Sequence, residues 1–366
     1  MNVKHKRSIY NIIDRKERLT LILGHRGSGK TTLLLQFLES NPSNAIYMSL
    51  DDFIFETKDL IKIIEDLYKQ GYRRFYFDEI HRYPDWSRIL KQVYDDYDDV
   101  YIMATGSSIL DINKGNADLS RRAVVYKIQG LSFREYLMLE KNIYTSPIKL
   151  EDIVNNHQAI SSELLEIFSW ENDFNNYLKF GYYPFFKESK KNYSGKLEQT
   201  AHLIIENDIT AFENLNYKTI HSLKKLLFVI SQSVPFIPNV SKLSKNLDIP
   251  RNTLLRLLSL LDQAKLIKLL HSGTKGISYL QKPDKIYLEN TNLMYMFSEG
   301  KPNIGSIRET FFLNQVSYLH STTSSKFGDF MIDDEFTFEV GGSTKGLKKI
   351  KGVPLSYLAL DIKAGS

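Results

Sequence analysis

Cysteine is absent from all 366 residues. Disulfides, thiolate metal sites and a cysteine nucleophile are therefore excluded. Long apolar runs are missing too: nothing approaches the roughly 20 residues a bilayer-spanning helix needs. The opening stretch, MNVKHKRSIYNII, is basic but lacks the apolar run and small-residue cleavage site of a secretory leader. The eight histidines are scattered, with no His-x-x-x-His spacing, so a zinc site is not expected. No repeat or low-complexity tract occurs. These absences read together as a cytoplasmic protein without membrane attachment.

What is present is ordinary for a folded chain: 42% hydrophobic and 25% charged residues. The length suits two or three domains. A net charge of +5 gives a mild bias towards anionic partners.

The first stretch alternates strand-like and helix-like segments, as a parallel α/β sheet requires. LTLIL from Leu19 precedes a glycine-rich turn and the helical TTLLLQFLES; AIYM from Ala45 precedes the amphipathic DLIKIIEDLYK. RFYF from Arg74, a helix over Trp86–Tyr97 and VYIMA from Val100 complete a β-α-β-α-β-α-β order. This predicts a nucleotide-binding core over residues 1–150. Helical segments without strands follow as a connector, 151–232. Residues 233–298 then combine SKLSKNL, a turn at Asp248–Pro250, the helix RNTLLRLLSLLDQAK and two strand-like runs, LIKLL and DKIYLEN. Helix, turn, helix and β-wing predict a winged helix. Residues 299–366 hold one helix (ETFFLNQVSYL) and short strands including FTFEV and SYLALDI, a small α+β module.

Between the first strand and first helix stands GHRGSGKT, Gly24 to Thr31. Backbone amides in such a loop, at a helix N-terminus, hold phosphate oxygens, and glycines at 24, 27 and 29 permit positive φ and close approach. The expected nucleotide contacts are Gly24, His25, Arg26, Gly27, Ser28, Gly29, Lys30, Thr31 and Thr32. Lys30 reaches the β and γ phosphates of ATP, and the Thr31 hydroxyl coordinates Mg2+. Asp78 ends a hydrophobic strand, where it supports the metal, and Glu79 is placed to activate water. That Asp-Glu pair separates an ATPase from most small-molecule kinases. After the fourth strand, ATGSSIL offers Thr105, Ser107 or Ser108 to sense the γ-phosphate, Thr105 and Ser107 foremost. In LSRRAVVY, Arg121 or Arg122 is the candidate arginine finger, in cis or from a neighbouring subunit; the alternative is a surface salt bridge. His25 and His81 read by default as exposed loop histidines, and GYYPFF at Gly181–Phe186 as an aromatic turn that packs the connector.

Taken together, GHRGSGKTTLL, DEIHRYPDW, TGSSIL, LSRRAVVY-x-x-x-GLSFREYL, YLKFGYYP, SKLSKNLDIPRNTL, KPDKIYLENTNLMY, GSIRETFFLNQ and FEVGG-x-x-K span nearly the whole chain. In wording and order they resemble a family of bacterial and archaeal AAA-type ATPases that carry a C-terminal domain of unknown function. The resemblance implies an ASCE-type P-loop core, a winged helix and a terminal module similar to restriction-endonuclease-like folds. It places Glu309, Asp329 and Glu339 at the acidic positions of such a module. The matching lysine, two residues beyond the last acid, is here Gly341, with Lys345 as the substitute. An inactive module retained for binding or packing is the expectation.

On the winged helix, Lys242, Lys245, Arg251, Asn252 and Arg256 are the candidate DNA contacts, with Lys275 on the wing. The other reading is a protein-contact or lid module, on which these form a solvated face. The functional expectation is Mg-dependent ATP hydrolysis that switches DNA or protein binding by the C-terminal modules, with self-association open. The alternatives are a nucleotide-gated interaction protein with negligible turnover and an ATP-regulated, metal-dependent nuclease.

Overall fold

The computed structural model describes residues 5–107, 119, 121–167, 170–213, 215–273 and 282–361. The chain divides into two compact units, residues 1–130 and 131–366. The division falls at Gly130 rather than near residue 150. The helix over Phe133–Lys141 falls in the second unit.

The first unit is built on five strands: β1 (Leu19–Gly24), β2 (Ala45–Ser49), β3 (Arg74–Asp78), β4 (Tyr101–Gly106) and β5 (Val124–Ile128). All pairings are parallel, in the order β2-β3-β4-β1-β5. The first four strands are those the apolar runs predict. The fifth is not, because VVYKI follows the arginine pair and carries only a short apolar run. Among the described residues the unit also holds helices α1 (Ser8–Ile12), α2 (Lys30–Ser40), α3 (Ile54–Thr57), α4 (Leu60–Lys69) and α5 (Trp86–Asp96).

Alternation along the strands splits the core by face. Ile22 and Tyr76 join Leu33, Leu34 and Phe37 of α2, and Ile9, Tyr10 and Ile13 of the N-terminal segment, in one cluster. Leu21, Leu23, Phe75, Phe77 and Ile102 join Leu60, Ile64, Leu90 and Val93 in the other. The helix α4 starts where Asp59 accepts a hydrogen bond from the Ile61 N–H at 2.9 Å, an N-cap. Strand β1 is buried at every position, as the centre of a parallel sheet covered on both faces demands.

The second unit begins with helices: α6 (Phe133–Lys141), α7 (Leu150–Ile167), α8 (Trp170–Asn176), α9 (Tyr193–Leu203), α10 (Thr210–Glu213) and α11 (Tyr217–Ser231). GYYPFF packs as expected, with Tyr182, Tyr183 and Phe186 buried. The Asn292 side chain binds the backbone around it, accepting from the Tyr182 N–H at 2.9 Å and donating to the Leu178 carbonyl at 2.8 Å. Then come α12 (Val240–Leu247), α13 (Arg251–Gln263) and the antiparallel pair β6 (Ile267–Leu270) and β7 (Lys285–Leu288). Two helices thus precede an antiparallel strand pair.

Last are α14 (Thr291–Phe297), α15 (Ile304–Val316) and four strands, β8 (Thr322–Ser324), β9 (Phe330–Ile332), β10 (Phe336–Gly342) and β11 (Ser356–Asp361), ordered β11-β10-β9-β8. The helix α15 starts five residues before the ETFF stretch because Asn303 caps it, accepting from the Ser306 N–H at 3.1 Å.

Candidate nucleotide site

The loop from Gly24 to Thr31 connects the buried centre strand β1 to α2. Gly27 and Gly29 adopt φ of 80° and 93°, where side chains are strained. Gly24 does not share that need. A Cβ there would lie 2.5 Å from the Cγ2 and backbone oxygen of Ile128, so close approach of β5 requires this glycine. Lys30 is 5% exposed, and its ammonium donates to the carbonyls of Gly24 at 3.0 Å and His25 at 3.2 Å.

Asp78 closes β3, two strands from β1, with β4 between them. Its buried carboxylate is met by three hydroxyls. Thr31 Oγ1 donates to Oδ2 at 2.7 Å, Tyr47 Oη donates to Oδ2 at 3.1 Å, and Thr105 Oγ1 donates to Oδ1. Thr105 also accepts from the Glu79 N–H at 3.0 Å. Glu79 itself holds a left-handed φ of 52°, a conformation that costs a glutamate about 1–3 kcal/mol and persists only when its surroundings enforce it. The Thr105 hydrogen bond supplies one such constraint. One Glu79 carboxylate oxygen lies 3.7 Å from the Lys30 ammonium and the other 3.5 Å from Nε2 of His81.

Several placements differ from those expected. His25 is 2% exposed and the His81 side chain 7%, so neither is an exposed loop histidine; His81 stands beside the Glu79 carboxylate. Thr105 braces Asp78 and Glu79 from within the sheet instead of standing free to face a phosphate. Ser107, also buried, is one residue past Gly106, which pairs with Leu23 beside the loop. Ser108 lies outside the described residues.

The arginine pair is at the wrong end of the sheet to act on the loop of its own chain. Ile128, at the far end of β5, pairs with Gly24, whereas Val124 pairs with Thr20 near the start of β1. Arg121 and Arg122 precede Val124, and Arg122 binds Asp95 through two hydrogen bonds at 2.7 and 2.9 Å. Arg121 is exposed there.

Tyr47 is a site residue that the motifs did not reveal. Burial, and next the Asp78 charge, push its hydroxyl pKa up to about 12, so it remains a donor at neutral pH. The usable signal was strand parity: Ser49 pairs with Asp78, and Tyr47, two residues earlier, shares that face.

In the second unit, the acids matched by resemblance are occupied by protein groups. Glu309 accepts from the Tyr287 hydroxyl at 2.7 Å, and burial pushes its carboxyl above the usual range. Asp329 accepts from the Val340 N–H at 2.9 Å. Glu339, fully buried, meets the ammoniums of Lys345 at 2.6 Å and Lys349 at 2.9 Å. A Cβ on Gly341 would fall 2.6 Å from the Cβ and Cγ of Lys345, so Lys345 fills the space a side chain at 341 would take. Among the described residues no three histidine, aspartate or glutamate side chains are arranged to hold a metal ion.

Of the residues considered for DNA, Lys242, Lys245, Arg251 and Asn252 are exposed on α12 and α13. Arg256 is instead ion-paired with Glu213. Lys275 lies outside the described residues. Among the described residues no helix is long and apolar enough to cross a membrane.

Residues 16–137 match the family model of an AAA domain, and residues 171–302 match a domain of unknown function. An uncharacterised protein of Methanocaldococcus jannaschii, MJ1637, is 30% identical over 287 residues, covering 72% of this chain and 59% of that protein. An uncharacterised Haemophilus influenzae protein is 24% identical over 299 residues, covering 75% of this chain and 68% of that one. The chain thus spans about three fifths of the length of the archaeal relative. Among solved structures, the Aeropyrum pernix ORC1 protein in complex with DNA has a TM-score of 0.32 at 13% identity, covering 79% of this chain and 88% of that one. The RuvB Holliday junction branch migration motor of Thermotoga maritima has a TM-score of 0.29 at 17% identity, covering 69% and 82%. The five-stranded parallel sheet and the glycine-rich loop give the first unit an α/β P-loop fold, and residues 16–137 are similar to an AAA domain.

Proposed function

We propose that the first unit binds ATP with Mg2+ and hydrolyses it. The observation that carries this reading is the joining of Thr31, Asp78, Thr105 and Glu79 in one hydrogen-bonded group beside the loop. The loop amides and the N-terminus of α2 receive the phosphates, and Lys30 neutralises the β and γ oxygens. The Thr31 hydroxyl and Asp78 carboxylate, 2.7 Å apart, are the hard oxygen donors that suit Mg2+, with Asp78 acting through water. When bound, that ion supplies charge neutralisation at the phosphate oxygens. Glu79 accepts the proton of the attacking water, and His81 beside it helps set the carboxylate's orientation. An arginine finger on this reading comes from another copy of the chain, since Arg121 and Arg122 sit at the far end of their own sheet. The test is multiple-turnover phosphate release. Wild type should turn over, Lys30→Ala should lose nucleotide binding, and Glu79→Gln should bind ATP yet release phosphate about 100-fold more slowly. Equal, near-zero rates for wild type and Glu79→Gln would instead favour a nucleotide-gated interaction protein.

For the second unit we infer a winged helix over α12, α13, β6 and β7 that contacts DNA. The exposure of Lys242, Lys245, Arg251 and Asn252 supports this, with Arg251 and Asn252 at the start of the second helix. Hydrolysis in the first unit then alters DNA affinity. Duplex DNA should bind with a steep salt dependence that is reduced in an Arg251→Ala, Lys242→Ala variant. If DNA changes neither turnover nor nucleotide affinity, a protein is the partner.

A further inference from the structure

The N-terminal segment ahead of β1 carries a cation that the nucleotide reading does not use. The Arg7 guanidinium donates from Nη1 to the carbonyls of Ser28 and Gln129, both at 2.8 Å, and from Nη2 to the carbonyl of Gly130 at 2.9 Å. One planar group thus joins the phosphate loop to the last residues of the first unit, where the chain passes to Leu131.

The Ser28 carbonyl and the Gly29 N–H belong to a single planar trans peptide, on which the two groups point in opposite directions. A charge-assisted hydrogen bond to the carbonyl fixes that plane from one side and polarises it, strengthening the N–H on the other. Gly29, with its φ of 93°, immediately precedes the helix that opens at Lys30. Its N–H is one of the amides from which such a loop builds its anion cradle.

We propose that Arg7 is a positioning residue for nucleoside di- and triphosphates: it aims the Ser28–Gly29 peptide at the phosphates and ties the loop to the chain's exit at Gln129–Gly130. This rests on the nucleotide reading above. It is separable from folding, because the segment has its own anchors. Ile9, Tyr10 and Ile13 are buried against α2 and β1, and Gln36 donates to the His5 carbonyl at 2.8 Å.

The experiment is titration of the purified full chain with a fluorescent ADP analogue, for wild type, Arg7→Lys and Arg7→Ala. Each Kd and each site stoichiometry is measured, with nucleotide-free melting alongside. Loss of a hydrogen bond involving a charged group corresponds to a roughly 10-fold weaker Kd for Arg7→Ala. Arg7→Lys, which keeps the charge but reaches fewer carbonyls, should recover part of that loss, and stoichiometry should stay at one site per chain. A merely structural role lowers stoichiometry and melting temperature while the remaining sites keep the wild-type Kd, and that result overturns the proposal. If Arg7→Ala does not fold, Arg7→Lys decides, and a Kd within about twofold of wild type overturns it. A wild type that binds no nucleotide overturns the nucleotide reading, and this proposal with it. A wild type that binds, with variants that bind equally, overturns the proposal alone.

Discussion

Asp78 in the first unit and Glu339 in the second are both buried carboxylates on sheet strands, and they differ in what answers them. Asp78 is met by the hydroxyls of Thr31, Tyr47 and Thr105. Hydroxyls orient a carboxylate but leave its charge in place, to be matched by a cation. Glu339 is met by two ammoniums, which match its charge from within the protein. Acidic residues at similar depths therefore have opposite consequences. The partner chemistry separates a carboxylate whose charge is left for a cation to match from one already neutralised by the protein's own ammoniums.

The sharpest way to break this comparison is Thr105→Val. It removes a donor to Asp78 and the acceptor of the Glu79 N–H in one step, at a fully buried position. On the proposed mechanism turnover should fall about 100-fold, because the Glu79 carboxylate loses its fixed placement. Stability should drop by about 1–3 kcal/mol from the unpaired buried groups. Steady-state kinetics and denaturant melts read the two effects separately, and unaltered kinetics would remove Thr105 from the site.

A second prediction concerns the neutralised cluster. With Lys345→Ala and Lys349→Ala together, Glu339 is left buried without its cations. Breaking a buried pair costs about 3–5 kcal/mol, and the partial exposure of both lysines reduces the expectation to about 2 kcal/mol at neutral pH. The lysine hydrogen bonds and charges outweigh burial and hold the Glu339 carboxyl below its usual 4.5. Its contribution is therefore present above about pH 4.5 and lost as the pH falls through the lower folded value. In the double variant the trend reverses, and stability should decline as pH rises from 4.5. A parallel pair of wild-type and variant stability curves against pH would contradict this.

Glu289 is the third case, with neither kind of answer. It is 5% exposed, and its Oε2 has no hydrogen-bond partner among the described residues. Burial raises its pKa above 4.5. The folded chain then holds a proton that the unfolded chain releases, so stability decreases as pH rises from 4.5 through the folded value. Glu289→Gln should be more stable than wild type at pH 8 by about 1 kcal/mol and equal to it near pH 4.5. Melting at the two pH values checks the sign.

How much of this was legible follows from where the determinants lie. The loop, Lys30, Thr31, Asp78 and Glu79 are contiguous in sequence with a strand or helix end, so spacing alone located them. The strand β5 was hidden because VVYKI offers only a short apolar run after the arginine pair, and Gly24 shows its pairing with β1 only through the clash a Cβ would make with Ile128. Which end of the sheet Arg121 and Arg122 occupy depends on β5, so the sequence leaves open whether they act on their own chain, on another copy, or in a surface salt bridge such as that of Arg122 with Asp95. The relation of Lys345 to Gly341 was anticipated from order along the chain, but its second ammonium, Lys349, arrives from the 3-10 turn Leu347–Lys349, which no periodicity marks.

The smallest expected effect is that of Tyr47→Phe, and it tests the comparison most narrowly. The change removes one hydroxyl from Asp78 and almost no volume. Thr31 and Thr105 still hold both carboxylate oxygens. If the hydroxyls serve to orient Asp78 for the metal, losing one should raise the Mg2+ concentration giving half-maximal turnover by about threefold, worth less than about 1 kcal/mol. The rate at saturating Mg2+ should change by less than about twofold, because Glu79 and its Thr105 contact are untouched. The hydroxyl keeps its proton well above neutrality, with its pKa at about 12, so the difference between wild type and variant should be flat from about pH 6 to 9. A loss of maximal rate with an unchanged Mg2+ requirement would mean that Tyr47 acts on the chemistry, and the division between orienting hydroxyls and a separate water-activating carboxylate would have to be redrawn.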